Sequence, residues 1–166
     1  YIFGKTKFIE QCKKSGVDGL IIVDLPPEED EELYIEAENK KLSCIRLVTP
    51  TTHNTRLAKI LSNATGFIYY VSITGITGTQ SPETGHVSSN IKNVKSFSDL
   101  PIVVGFGIRS PNQALSMAQI SDGVVIGSAV VDLIKESLDQ NGNSTEITAN
   151  SCLDFIHEVS KEMKHN

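Results

Sequence analysis

Five short apolar runs, separated by helix-length segments, constrain the fold of this 166-residue chain more than any other feature. Most of the runs are continuous rather than alternating, which is typical of strands buried on both faces of a parallel sheet. A helix precedes the first run, and a helix-length segment follows each of the five. The pattern predicts one α/β domain over residues 1–166, with the strands in either an open doubly wound sheet or a closed (β/α)8 barrel. The predicted strands are residues 19–23, 44–48, 67–71, 102–104 and 123–126.

Charged and polar residues predict where the intervening helices begin and end. Acidic residues 28–30 are expected in the first turn of a helix that runs to about Asn39, because acid there complements the helix dipole. Ser110 and Pro111 are typical of an N-cap followed by the first helical residue. The polar residues 139–150 are expected to form a flexible connector, with a last helix from Ser151.

Composition excludes several classes of partner. With 15 Lys+Arg against 20 Asp+Glu, the net charge of -5 disfavours nucleic acid but not a small phosphorylated ligand. No stretch is apolar over the roughly 20 residues that a membrane span needs, so no membrane partner is expected. Cys12, Cys44 and Cys152 are odd in number and form no CxxC motif, and the histidines have no ligand spacing. We therefore expect reduced thiols, a cytoplasmic protein and no metal site.

Two glycine turns, VGFGIRS and VVIGSAVV, suggest an anion-binding site. Gly107 and Gly127 each follow a predicted strand, and Ser128 opens a helix. Phosphate sites need backbone without Cβ atoms in the way, converging N–H groups and a helix N-terminus. Barrels often bind phosphate between the loops after strands seven and eight, so these turns favour the barrel. Taken singly, each of these glycines, like Gly105, could serve only a tight turn.

Three other positions are candidates with an alternative beside each. Thr77 and Gly78, in the loop SITGITG, predict a mobile lid over the site, or else a plain connector. Tyr69 lines an aromatic pocket or belongs to the core. Asp24, after the first strand, is a catalytic carboxylate or a structural acid. Since the predicted strands and their carboxyl ends contain no lysine, carbon–carbon cleavage would use acid–base chemistry rather than a Schiff base.

Five segments together resemble the alpha chain family of tryptophan synthase. They are GVDGLIIVDLPPEE, RLVTPTT, YYVSITGITGT, LPIVVGFGIRSPNQ and DGVVIGSAVV, which cover essentially the whole chain in order. The resemblance implies a (β/α)8 barrel that cleaves indole-3-glycerol phosphate to indole and glyceraldehyde 3-phosphate in tryptophan biosynthesis. It also implies no cofactor in this chain and a pyridoxal-phosphate-dependent beta chain as partner, in an α2β2 assembly.

The resemblance also assigns roles to individual residues. It places Asp24 near the barrel top and the beta-chain interface, which favours its structural role. It makes Thr77 the lid residue that supports catalysis, and Tyr69 an indole-pocket residue. The implied phosphate site consists of Gly78, Gly107, Gly127 and Ser128, with Phe106 beside it.

The family's catalytic glutamate and aspartate correspond to no residue of this sequence. Tyr1 aligns just after the family's third strand, so we expect the part of the barrel from about the third helix through strands four to eight and the last helix. Five strands would leave two open edges. Because the acid–base pair is absent, we expect no lyase activity from this chain alone. The alternatives are a non-catalytic phosphate-binding or partner-binding fragment, and two copies pairing to rebuild a closed sheet.

Overall fold

The computed structural model describes residues 2–29, 31–72, 84–105 and 107–164. Helices and strands alternate through these residues, as the apolar runs predict. The helices are α1 (Lys5–Lys14), α2 (Glu31–Asn39), α3 (Asn54–Leu61), α4 (Thr84–Lys95), α5 (Pro111–Ala118), α6 (Ser128–Ser137) and α7 (Glu146–Lys164). The strands are β1 (Gly19–Ile21), β2 (Ser43–Val48), β3 (Ile68–Val71), β4 (Ile102–Gly105) and β5 (Gly123–Val125).

The sheet decides between the two predicted closures. Its strand order is β1-β2-β3-β4-β5, and every neighbouring pair is parallel. Each crossover therefore advances by one strand in the same direction, whereas a doubly wound sheet reverses its order at a switch point. The described strands are consecutive strands of a (β/α) barrel. The barrel prediction is confirmed, and the open doubly wound sheet is wrong.

The two faces of the sheet explain why the strand sequences are continuously apolar. Alternate residues on one face pack under the helices, where Ile68 and Ile102 have no exposed area and Tyr70 is 1% exposed. The opposite, inner face carries the residues between them, including Tyr69, Val71 and Val103, which are half-buried. The helix-side core is completed by Leu57, Leu61, Val87, Ile91, Val94, Ala114, Met117 and Val159.

The predicted boundary between the polar connector and the last helix is wrong. The connector is shorter than expected, because α7 begins at Glu146 rather than near residue 151. The Asp139 carboxylate accepts the N–H groups of Asn141 and Asn143, each at 2.8 Å, and so closes a tight turn. The Thr145 hydroxyl donates to the carbonyl of Ser137 at 2.8 Å, which holds the start of α7 against the end of α6.

The acidic residues after β1 also lie differently from the prediction. Glu28 and Glu29 precede α2, which begins at Glu31. The Glu28 carboxylate pairs with Arg56 and Lys59 of α3 instead of with the N-terminus of α2. Within the part of the chain that is described, no helix is both long and apolar enough to cross a bilayer.

Candidate functional site

Of the predicted site residues, Tyr69, Gly107, Gly127 and Ser128 are described, and they lie at the carboxyl edge of the sheet. Because all five strands are parallel, the loops that follow them emerge at this one edge. β4 and β5 are neighbours, with Gly105 opposite Val125 at their carboxyl ends. Gly107 and Gly127 each lie two residues past these strand ends. The structure therefore brings the two glycine turns together at adjacent strand ends.

The first glycine turn, centred on Gly107, requires glycine for its backbone conformation. Gly107 has φ 82°, in the left-handed region that L-residues adopt at a cost. The residues that follow are held firmly. Ile108 is 2% exposed in the core, and the Ser110 hydroxyl caps α5 by accepting the N–H of Gln113 at 3.3 Å. This confirms the predicted Ser110–Pro111 helix start.

The second glycine turn, Gly127–Ser128, uses its glycine differently. Gly127 has φ -118° and ψ -75°, which other residues also adopt, and it caps α6. A Cβ at Gly127 would have no neighbouring atom within 4 Å. The first N–H groups of a helix have no acceptor within the helix and lie at the positive end of its dipole. Glycine here leaves open space beside these donors and the exposed Ser128 hydroxyl.

An ion pair connects the two glycine turns. Arg109 follows the first turn, and its guanidinium pairs with the carboxylate of Asp132 on α6. Asp132 was not among the residues identified from the sequence. Its spacing of four residues from Ser128 places both on one face of α6, but only the tertiary structure brings Arg109 to this face.

Tyr69 lies on the inner face of β3, above the last residue of β4. A Cβ built on Gly105 would lie 2.6 Å from Cζ of Tyr69, so the ring packs directly on the bare glycine backbone. Burial raises the pKa of the Tyr69 phenol above its ordinary value. Gly105 is therefore a strand residue that makes room for the ring, and not the turn glycine that the sequence suggested.

The carboxyl end of β3 is bonded to the end of β4. Ser72 donates both its backbone N–H and its hydroxyl to the carbonyl of Gly105, each at 3.0 Å. The predicted lid begins immediately after Ser72. Its residues Thr77 and Gly78 lie outside the described residues, as does Phe106.

Asp24 lies apart from the glycine turns. It follows β1, at the far side of the sheet from β4 and β5, and its side chain is exposed. It lines a groove of about 270 Å³ together with Pro26, Arg46 and Arg56. Among the described residues, no three histidine, cysteine, aspartate or glutamate side chains are grouped as metal ligands would be. The arrangement at the glycine turns fits an anion held by backbone N–H groups.

Comparison with known proteins identifies the family. A family profile described as tryptophan synthase alpha chain matches residues 1–162. The tryptophan synthase alpha subunit of Campylobacter jejuni is 33% identical, with a TM-score of 0.80, and the match covers 95% of this chain and 60% of that chain. A Mycobacterium tuberculosis tryptophan synthase structure is 31% identical, with a TM-score of 0.83, covering 98% of this chain and 58% of that one.

A third solved structure gives the same result. The alpha subunit from Legionella pneumophila str. Paris is 27% identical, with a TM-score of 0.83, and the match covers 99% of this chain and 59% of that chain. This chain thus spans about three fifths of the length of the related chains. The profile match and the structural similarity show that the chain belongs to the tryptophan synthase alpha-chain family.

Proposed function

We propose that this chain forms the phosphate-binding part of a lyase site that cleaves indole-3-glycerol phosphate to indole and glyceraldehyde 3-phosphate. The observation that carries the proposal is the position of the two glycine turns at the adjacent ends of β4 and β5. Phosphate sites of barrels are commonly built from two such loops and a helix N-terminus. Membership of the tryptophan synthase alpha-chain family supports the substrate and the place in tryptophan biosynthesis.

In this proposal the described residues bind the substrate rather than break its bond. The N–H groups at the start of α6 and the Ser128 hydroxyl would hold the phosphate, with Gly127 leaving room for it. The Tyr69 ring would flank the indole from the inner face of the sheet. A phenol is protonated at neutral pH, and burial raises the pKa of Tyr69 further, so its ring would act as a wall and its hydroxyl as a hydrogen-bond donor.

The chemical step needs an acid–base pair that we assign to no residue of this chain. A positioned general acid or base typically contributes about 10²- to 10⁴-fold to a rate. We therefore propose that these 166 residues alone bind the phosphate group without measurable turnover. No cofactor in this chain is needed for such a step, because acid–base groups suffice for the cleavage.

The proposed partner is the beta chain of tryptophan synthase, in an α2β2 assembly. Asp24 and Pro26 are exposed in the segment after β1, at the carboxyl edge of the sheet, where such a partner could dock. A cytoplasmic location fits the cysteines. All three lie within the described residues, and none forms a disulfide, as expected in a reducing compartment.

Calorimetric titration with inorganic phosphate and with glyceraldehyde 3-phosphate tests the binding site. Gly127→Val should weaken both by at least tenfold, because its side chain would fill the open space at the start of α6. Gly123→Ala is the matched control. It lies at the other end of β5, and its Cβ would meet Val103 at an ordinary 3.7 Å. A folded wild-type chain that binds neither ligand would exclude the proposed site.

An indole-release assay separates catalysis from binding. The chain alone should bind phosphate and release no indole from indole-3-glycerol phosphate, with or without a beta chain. Clear turnover by the isolated polypeptide would show that it contains its own catalytic groups. The alternative, a phosphate-binding or partner-binding protein without catalysis, predicts that the chain stays inactive even when the part of the family's barrel that it does not span is supplied.

A further inference from the structure

The ion pair between Arg109 and Asp132 spans from the loop after β4 to the helix after β5. Arg109 lies two residues beyond Gly107, and Asp132 lies one helical turn beyond Ser128. It is a side-chain link between the two elements that carry the glycine turns. The side chains are 43% and 44% exposed, so the pair lies at the surface of this edge.

The Arg109 end of the pair is firmly anchored. Its backbone N–H donates to Oε1 of Gln113 at 2.8 Å. The residue before it, Ile108, is 2% exposed in the core, and the residue after it, Ser110, caps α5. The guanidinium therefore extends from a backbone segment that is held on both sides.

The Asp132 end of the pair lies on α6, where the N-cap Gly127 and the first residue Ser128 are exposed. α6 packs mainly against α7, further along the chain. Its first residues, Gly127 and Ser128, are exposed, and the space around a Cβ at Gly127 is open. Near its start α6 is held by the buried Ala129, and the link to the anchored loop adds a second constraint there.

The charges of the pair matter for an anion at the start of α6. One helical turn is about 5.4 Å, so Asp132 lies roughly that far along the axis from Ser128. A carboxylate one helical turn from Ser128 would repel a phosphate at the start of α6 if its charge were not neutralised. Arg109 compensates that charge while it holds the helix.

We propose that Arg109 and Asp132 are a positioning pair, which sets the separation of the two glycine turns and thereby the affinity for phosphate. The proposal rests on the proposed phosphate site and adds to it a device outside the anion's own contacts. A positioning role and direct binding by Arg109 predict opposite changes in phosphate affinity when Asp132 is neutralised. Removing a negative charge near an anion site should tighten binding, unless the residue is needed to position the site.

Titration with inorganic phosphate at low salt tests the pair. Arg109→Met and Asp132→Asn should each weaken binding by about two- to fivefold, the range that exposed ion pairs support. The double variant should lose no more than the more affected single variant, because both remove one interaction. Arg109→Lys keeps the charge pair and should stay within about twofold of the unaltered chain. Glu28→Gln, which breaks an ion pair between other elements, should leave the affinity unchanged.

Three outcomes of this titration overturn the proposal. Tighter or unchanged binding by Asp132→Asn, with weaker binding by Arg109→Met, makes Arg109 a direct ligand. Unchanged affinity in both single variants shows that the pair does not position the site. An equal loss of affinity in Glu28→Gln would likewise reduce the effect to general stability.

Amide exchange in the unliganded chain gives an independent readout. In both single variants the N–H groups of Arg109, Val130 and Val131, which donate to Oε1 of Gln113 and to the carbonyl of Gly127, should exchange faster, while those of β2 and β3 keep their rates. Unchanged exchange in both turns would overturn the positioning role even if the chain binds no phosphate. Absence of phosphate binding by the unaltered chain would count against the proposed function separately.

Discussion

The ring of Tyr69 on β3 packs on the bare backbone of Gly105, the last residue of β4. The register pairs Tyr69 with Val103 and Val71 with Gly105, so the ring reaches diagonally to its neighbour's strand end. Diagonal positions on adjacent strands are within reach of aromatic side chains. The position of the ring on the inner face therefore depends on the absence of a side chain at Gly105.

Gly105→Ala should destabilise the fold and displace the Tyr69 ring. The added Cβ would lie 2.6 Å from Cζ of the ring, closer than packed atoms approach. Overpacking of this kind costs about 1–3 kcal/mol of unfolding free energy. Urea unfolding measures the loss, and Gly123→Ala, whose Cβ meets only ordinary contacts, should change stability by less than about 0.5 kcal/mol. Equal stability of the two variants would contradict the close packing of Tyr69 on Gly105.

Gly107→Ala should be destabilising for a different reason. With φ 82°, Gly107 occupies the left-handed region, where an L-residue costs about 1–2 kcal/mol. Asparagine tolerates this region better than alanine, so Gly107→Asn should recover part of the loss. Thermal unfolding of the two variants checks the order. If alanine proved as stable as glycine, the turn would have to adopt another conformation.

Glu28 should make stability depend on pH in the acid range. Its hydrogen bonds to Lys59 and Arg56 lower the pKa of Glu28 from 4.5 to about 2 in the folded chain. The folded state then binds fewer protons than the unfolded state between these values. Its contribution is present above pH 4.5 and disappears as the pH falls through about 2.

Urea midpoints of the unaltered chain and Glu28→Gln from pH 7 to pH 2 measure this contribution. The difference between the two should be largest above pH 5 and vanish near pH 2, and added salt should reduce it because the pair is exposed. A difference that stays constant over the whole range would assign the effect to something other than ionisation of Glu28.

Asp122 should stabilise the opposite, amino-terminal edge of the sheet without affecting ligand binding. Its carboxylate accepts the N–H of Ile102 at 2.8 Å and the ammonium of Lys95 at 3.2 Å. The first of these bonds lowers the pKa of Asp122. Asp122→Ala should cost about 1 kcal/mol, and Asp122→Asn less, since its amide oxygen can still accept from Ile102. Phosphate affinity should be unchanged in both variants. A loss of affinity would show that the amino-terminal edge of the sheet affects binding at the carboxyl edge.

Much of the fold was predictable because its signals are local. The continuous apolar runs indicated strands buried on both faces, and the structure has strands at all five. The Ser110–Pro111 helix start was correct, since an N-cap is decided by neighbouring residues. The late start predicted for α7 was wrong. Polar residues there indicated a loop. Instead, the Asp139 carboxylate accepts a backbone N–H and the Thr145 hydroxyl donates to a backbone carbonyl, so a short turn is stable.

The candidate site was predictable only in part. The two glycine turns could be found from their sequence, because glycines after apolar runs and before helices are recognisable. The residues that contact the site from other elements could not be found in this way. Asp132 and the role of Gly105 depend on which strands are neighbours, and on the direction in which Arg109 and Tyr69 extend.

The sequence by itself determined the alternation of strands and helices, the two glycine turns and the resemblance to a family, since each depends on residues close together in the chain. Tertiary structure alone decided the sequential strand order, the pairing of Glu28 with α3 and the packing of Tyr69 on Gly105. The ion pairs of Glu28 and the contact of Tyr69 join residues 28 to 36 positions apart. Their geometry follows from strand register and side-chain packing between elements, which no local pattern encodes.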